Sequence, residues 1–211
     1  AEKRDETEEF ATEELKEMGK LGLMGMTVDP NFGGSGLDMT SWVLAVEEIA
    51  AADGGVSTIL CIQGLIEQIL AQYGTEEQQN TYLPKLASGE MIGAFALTEP
   101  HAGSNAAAIQ TRAVKDGDHY VLNGSKQFIT SGKHGHVAVV FAVTDPDAGK
   151  KGMSAFLVPT DAPGYEVAGI EKKMGQKTSD TAQLNFNDMR IPAANMLGSE
   201  GEGYKIALAN L

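Results

Sequence analysis

The sequence predicts an α+β fold: an N-terminal helical domain, then an antiparallel β-barrel or sandwich domain, then the start of a C-terminal helical domain. Three observations predict it. Apolar residues recur at helical spacing through the first ninety positions; from Met91 the pattern changes to short strands separated by turn signals; after Pro192 a helical pattern resumes at Gly201. Strands that follow one another with no helix between them favour an antiparallel barrel or sandwich over a parallel βαβ sheet.

Taken in order, Phe10, Leu15, Met18, Leu21 and Leu23 fall near helical spacing, with Glu13, Glu14, Lys16 and Glu17 between them. Asp29-Pro30-Asn31-Phe32-Gly33-Gly34-Ser35-Gly36 breaks that pattern into a loop. Asp38 or Thr40 can cap the next helix, whose apolar side carries Trp42, Val43, Val46 and Ile49, with Trp42 expected in the core. A turn at Asp53-Gly54-Gly55 leads into residues 57–73, the most apolar helix, which ends at Gly74. Thr75-Glu76-Glu77-Gln78 is a capping box opening a fourth helix that reaches Lys85 or Ala87. Seven strands follow, at 91–97, 110–115, 119–123, 137–143, 154–159, 165–170 and 182–186, with turn signals such as Asp116-Gly117-Asp118 and Asn123-Gly124. Residues 201–211 then read as the opening of a helix with Ile206, Leu208 and Leu211 apolar, and the glycines of 198–203 as its flexible lead-in.

Composition narrows the function classes. A chain of 211 residues that is 42% hydrophobic can bury a substantial core. A formal charge of −13 argues against nucleic-acid binding, which needs clustered cations facing phosphates. Cys61, the only cysteine, rules out an internal disulfide framework and suits a reducing compartment. Residues 2–9 are acidic, unlike a secretory leader, and Glu47, Glu48, Asp53 and Glu67 interrupt the best candidates for a membrane span. His101, His119, His134 and His136 lack metal-ligand spacing, so no metal site is expected. Glu47 and Glu48 point in different directions on a helix and cannot act as an acid/base pair. The chain starts without Met inside an acidic helical stretch, and the expectation is a segment of something longer.

Two stretches carry the chemistry. Phe95-Ala96-Leu97-Thr98-Glu99-Pro100-His101-Ala102-Gly103-Ser104 and Gly124-Ser125-Lys126-Gln127-Phe128-Ile129-Thr130 each run from strand-like residues into a hydroxyl-bearing turn. Either one alone reads as an ordinary strand-to-loop turn. Together they supply backbone donors, threonine hydroxyls and aromatic edges at strand ends. A planar heteroaromatic cofactor needs that combination, because its ring buries apolar area while its nitrogens and carbonyls must be hydrogen-bonded.

On these two motifs the chain resembles the acyl-CoA dehydrogenases, over essentially its whole length. The resemblance implies FAD as cofactor, with Phe95, Leu97 and Thr98 meeting the pyrimidine end of the ring and Gly103 allowing close approach. Ser104 would sit where FAD and the CoA thioester both pass, Phe128 against the flavin with Ile129, and Thr130 near its reactive nitrogen. Asn105 stands where many relatives have Asp, and either side chain can cap the turn; Phe128 stands where many have Trp. Cys61 and Ile62 would line the far end of the acyl pocket. Ser179-Asp180-Thr181 stays unassigned between an Asx-type turn and a polar contact near the flavin or CoA path.

The reaction implied is FAD-dependent α,β-dehydrogenation of an acyl-CoA to trans-2-enoyl-CoA, with an electron-transfer flavoprotein as acceptor. A homo-oligomer (tetramer or dimer) is implied, in the bacterial cytoplasm or the mitochondrial matrix. The organisation would be a helical domain at 1–90 without the family's first helix, a central β domain at 91–195, and the start of a C-terminal helical domain at 196–211. The catalytic glutamate would lie outside the chain; Glu99 sits in the flavin turn and is not assigned that role. Residues 1–211 alone would then hold FAD poorly and leave acyl-CoA unoxidised. Two alternatives stay open: a related flavin acyl-CoA oxidase, and a non-catalytic or truncated binding module.

Overall fold

The structure is a computed structural model that describes residues 2–210. Backbone contacts divide the chain into two compact units: residues up to Gly93 with Lys172–Asp180, and Ala94–Glu171 with the chain from Thr181 onward.

The first unit is helical: α1 (Glu2–Thr7), α2 (Thr12–Lys20), α3 (Met39–Ala52), α4 (Gly54–Tyr73) and α5 (Glu76–Ala87). The caps at Asp38 and Thr75 follow from the sequence, whereas the expected turn at Asp53-Gly54-Gly55 is the first turn of α4. Asp38 accepts the Ser41 amide at the start of α3. Asp53 ends α3 and opens α4 by accepting the Gly55 and Val56 amides, so one residue joins the two helices. Thr75 and Gln78 form the reciprocal capping box of α5. The core gathers Ala11, Leu15, Met24, Val56, Ile59, Leu60 and Ile92. α4 is its centre, long and apolar enough by length and composition to cross a membrane, yet largely buried within the protein. Gln63 of α4 donates to the carbonyls of Leu86 and Met91, at 2.9 and 3.0 Å, and accepts the Gly93 amide at 2.8 Å. One buried amide thus satisfies three backbone groups where the chain leaves α5.

Two expectations need correction here. α3 has no fully buried residue, Trp42 is half-buried over Gly64, and Val43 is 50% exposed. Leu21 lies just past the end of α2 and is 75% exposed. Its apolar spacing continued beyond the point where the helix stops.

The second unit holds β1 (Gly93–Ala96), β2 (Arg112–Asp116), β3 (His119–Thr130), β4 (Val137–Val143), β5 (Met153–Pro159), β6 (Tyr165–Ile170), β7 (Thr181–Pro192), β8 (Met196–Leu197) and α6 (Gly203–Ala209). The strands order as β6-β7-β3-β2-β4-β5-β8, with β1 paired to β4 off that path. The sheet is open, not a closed barrel, and β2 meets β4 in parallel at Arg112↔Val143, so the expected antiparallel pattern is broken at that junction. The cause is topological: β3 hairpins back on β2, the chain reverses again at 131–136, and β4 therefore runs in the direction of β2. β3 and β7 are also longer than their apolar runs, because pairing continues across irregularities at Leu122/Gly124 and Lys126/Ile129. Tyr120, Leu122, Val140, Phe156, Leu184, Phe186 and Met189 build the core, and β4 and β5 are buried along nearly their whole length. The loop before α6 is held, not flexible: the Gly201 amide donates to Ser154 Oγ at 3.0 Å, and the Ser199 amide to Glu202. Leu211 lies outside the described residues.

Glu67 on α4 is an unusual burial. It is 2% exposed, its Oε1 has no hydrogen-bonding partner among the described residues, and desolvation pushes its carboxyl well above the ordinary 4.5. As pH rises the unfolded chain loses this proton first, so the folded state binds the extra proton and stability falls with rising pH above that value. Glu67→Gln should therefore be more stable than the parent at about pH 8, with the gap closing at about pH 4. Urea unfolding at the two pH values measures it; a gap that widened on acidification would contradict the assignment.

Candidate functional site

The two motif segments lie in the second unit, and the structure brings them together. β1 ends at Ala96, and the chain passes through Leu97 and Thr98 into a tight turn. Glu99 and Ala102 close that turn with reciprocal backbone bonds, both 3.0 Å. Beyond it the Gln127 amide of β3 donates to the Thr98 carbonyl at 2.9 Å. The 97–104 loop and the end of β3 are therefore neighbours joined by backbone bonding.

A buried ion pair lies beneath this junction. Lys126 is fully buried, and its Nζ donates to Glu99 Oε1 at 2.8 Å and to the Leu97 carbonyl at 3.0 Å. The Glu99 carboxylate also accepts the Gln110 amide at 2.6 Å and the Thr111 amide at 3.0 Å. Desolvation pushes the Glu99 carboxyl upward, but the Lys126 charge and these hydrogen bonds together outweigh it and hold it below its ordinary value. Desolvation lowers the Lys126 ammonium to about 8, with Glu99 opposing the fall. A carboxylate held this way is a weak base. That agrees with leaving Glu99 out of proton abstraction and makes it a structural partner instead. Sequence reading missed Lys126, because a lysine in a strand normally marks the solvent face.

The individual residues fall as follows. Phe95 is half-buried on β1, its ring centroid 5.1 Å from that of Phe141. Leu97 is buried, and Thr98 half-buried. Among the described residues neither the Thr98 amide nor its hydroxyl meets a hydrogen-bonding partner, and the Thr130 hydroxyl is likewise unpartnered. Gly103 and Ser104 are exposed, and a Cβ on Gly103 would meet nothing within 4 Å. Asn105 departs from its expected role, since its side chain makes no capping bond. Ile129 is buried in the core, whereas Phe128 beside it is 61% exposed.

Backbone strain concentrates at the end of β3. Phe128 has φ +60° and Ser131 φ +58°, left-handed conformations that cost non-glycine residues about 1–3 kcal/mol. Ser131 is also fully buried, with no partner for its hydroxyl among the described residues. The surroundings thus hold a flat aromatic face outward beside two unpartnered threonine hydroxyls and a free amide. An isoalloxazine ring, which needs an apolar face and donors at its edge, fits this donor set.

Cys61 and Ile62 lie on α4, in the first unit. Both are half-buried, on the stripe that also carries Thr58 and Leu65, and burial pushes the Cys61 thiol up. Ser179 and Asp180 are buried in the same unit, where the Lys173 ammonium donates to the Ser179 carbonyl.

Glu99→Gln should leave the Lys126 charge buried without its counter-ion and cost about 3–5 kcal/mol. Glu99→Gln with Lys126→Met should recover most of that loss. The parent should lose the contribution of Glu99 as pH falls through its depressed value, and keep it above the ordinary carboxylate range. Urea unfolding of the three proteins checks this; equal stability of the single variant and the parent would show that the pair contributes nothing.

Comparison with known proteins supplies independent information. The family model described as "Acyl-CoA dehydrogenase, N-terminal domain" matches residues 1–90, and that described as "Acyl-CoA dehydrogenase, middle domain" matches 94–189. The short-chain specific acyl-CoA dehydrogenase of Clostridium acetobutylicum is 45% identical over 98% of this chain and 55% of its own length. A chain of the structure described as the electron transferring flavoprotein of Acidaminococcus fermentans superposes with a TM-score of 0.96 at 45% identity, over 99% of this chain and 55% of that one. A glutaryl-CoA dehydrogenase from Mycobacterium smegmatis in complex with FADH2 gives a TM-score of 0.88 at 39% identity, over 97% and 52% of the two chains. The chain spans about half the length of the curated relatives it matches.

Proposed function

The chain belongs to the acyl-CoA dehydrogenase family, and from that premise we propose that its full-length protein oxidises acyl-CoA thioesters to trans-2-enoyl-CoA with FAD. The observation that carries this reading is the junction of the two segments, where donors of Thr98 and Thr130 that meet no partner among the described residues stand beside the exposed face of Phe128. The chemistry FAD would supply when bound is acceptance of the substrate's β hydrogen as hydride. Thr98 and Thr130 would hydrogen-bond the ring, Phe95 and Leu97 would border its pyrimidine end, and Phe128 would pack at its other side; the Ile129 side chain is buried in the core, which leaves only its backbone for the cofactor. Gly103 and Ser104 admit the cofactor and the thioester, and Cys61 and Ile62 contact the acyl chain.

The α proton is too weakly acidic to be lost unless the thioester oxygen is hydrogen-bonded, so that negative charge can develop there. Glu99 is committed to Lys126, so it is not assigned as the carboxylate that removes this proton. We place a helical domain at 1–90, a central β domain at 91–195, and the opening of a C-terminal helical domain at 196–211. A short-chain acyl-CoA is the favoured substrate, in line with the short-chain specific relative. Electrons pass to an electron-transfer flavoprotein, and the assembled protein is a homo-oligomer. The compartment is the bacterial cytoplasm or, in a eukaryote, the mitochondrial matrix.

Anaerobic addition of butyryl-CoA to the purified full-length protein should bleach a bound flavin band. Rapid reoxidation by oxygen would point to an oxidase, and a colourless protein to a binding module. Thr98→Val and Thr130→Val should each weaken flavin binding by about 1 kcal/mol, or about fivefold in Kd, measured by fluorescence titration. Unchanged affinity in both variants would remove the threonines from the site. Ile62→Ala should shift the kcat/KM preference toward longer acyl chains; an unaltered chain-length profile in a fully folded variant would return Ile62 to a packing role.

A further inference from the structure

We propose that Lys126 is a positioning residue that raises the reduction potential of the bound cofactor by polarising the Leu97–Thr98 peptide. The proposal rests on the reading that Thr98 meets the pyrimidine end of FAD. The carbonyl of Leu97 and the amide of Thr98 belong to one resonance-coupled planar group. Its oxygen end accepts a hydrogen bond from the fully buried Lys126 ammonium at 3.0 Å. Its nitrogen end meets no acceptor among the described residues. In a trans peptide the two ends point in opposite directions, so the amide is aimed away from the lysine.

A cation at the carbonyl draws electron density toward oxygen and leaves the N–H a stronger donor. Such chains of hydrogen bonds reinforce one another in a low-dielectric interior, and a charged member makes them stronger still. A stronger donor favours whichever acceptor carries more negative charge. The ring's pyrimidine carbonyl gains charge when the cofactor takes up two electrons, so the reduced form benefits more and the potential rises.

The ammonium is not required merely to hold the loop. The Thr98 carbonyl is already bonded by the Gln127 amide, and the Glu99 carboxylate by the amides of Gln110 and Thr111. Replacing a buried ion pair with neutral groups of similar volume is often close to neutral for stability. The charge is therefore separable from the fold, and the experiment separates them.

The test compares the full-length, FAD-loaded parent with Lys126→Met/Glu99→Gln, in which the side-chain amide introduced in place of the carboxylate keeps an oxygen for the Gln110 and Thr111 amides. Midpoint potentials are read by anaerobic equilibration with reference dyes, and flavin Kd by titration. Affinity for the reduced cofactor should fall about tenfold more than affinity for the oxidised form, a potential lower by about 30 mV for a two-electron couple, with thermal stability near that of the parent. Lys126→Gln/Glu99→Gln, which likewise leaves no unpaired charge buried, reads the same quantity should the first double variant not fold. A variant that holds flavin at the parent's potential would overturn the proposal and leave Lys126 purely structural. A parent that binds no flavin would instead overturn the reading on which the proposal rests.

Discussion

The buried hydrogen-bond network around Lys126 and Glu99 is the constraint on which the candidate site depends. Two charges taken out of water are costly unless each finds a partner of good geometry. Here the lysine has a carboxylate and a carbonyl, and the carboxylate has the lysine and two amides. These bonds converge from three stretches of chain: the loop after β1, the strand β3, and the residues leading into β2. No one of the three can shift alone without leaving a buried polar group unmatched. The loop at 97–104 is irregular, yet its first residues are tied to β3 and to the residues before β2 by these bonds.

That anchoring explains how strain survives next door. Phe128 and Ser131 both occupy left-handed backbone regions that side chains disfavour. Between Lys126 and Ile129 the β3–β7 register shifts, and the inward positions at 126 and 129 are both buried. With Lys126 and Ile129 fixed inward, the intervening residues must carry the irregularity. Phe128 is turned outward as a result. An exposed aromatic ring on an otherwise well-packed strand is costly in water, and a planar ligand that covered it would recover that apolar burial.

Much of this was legible in the sequence where a local rule decides the outcome. Asp38 and Thr75 cap helices as their side chains allow, and the change from helical to strand period near Met91 marks where the architecture changes. Asp53-Gly54-Gly55 read as a turn, yet α4 already begins at Gly54 with Asp53 as its cap. The features that were not legible depend on distant partners. Lys126 reads as a surface residue until Glu99, 27 positions earlier, is seen beside it. The full length of β3 is hidden because its irregularities interrupt apolar alternation, and no local signal announces the parallel meeting of β2 with β4. The apolar composition of α3 suggested burial, yet Val43 and Leu44 are exposed. Asn105 stands at a cap position with the right chemistry, but its backbone lies at φ −95°, ψ 75° and its side chain makes no capping bond.

The central claim is that the loop at 97–104 and the end of β3 together hold a flavin ring. A crystal structure of the full-length protein grown with FAD tests it most directly. The account predicts the ring within hydrogen-bond reach, about 3 Å, of the Thr98 amide or hydroxyl and of the Thr130 hydroxyl, with Phe128 packed against it. A ring bound elsewhere, with both threonines out of reach, would contradict the account.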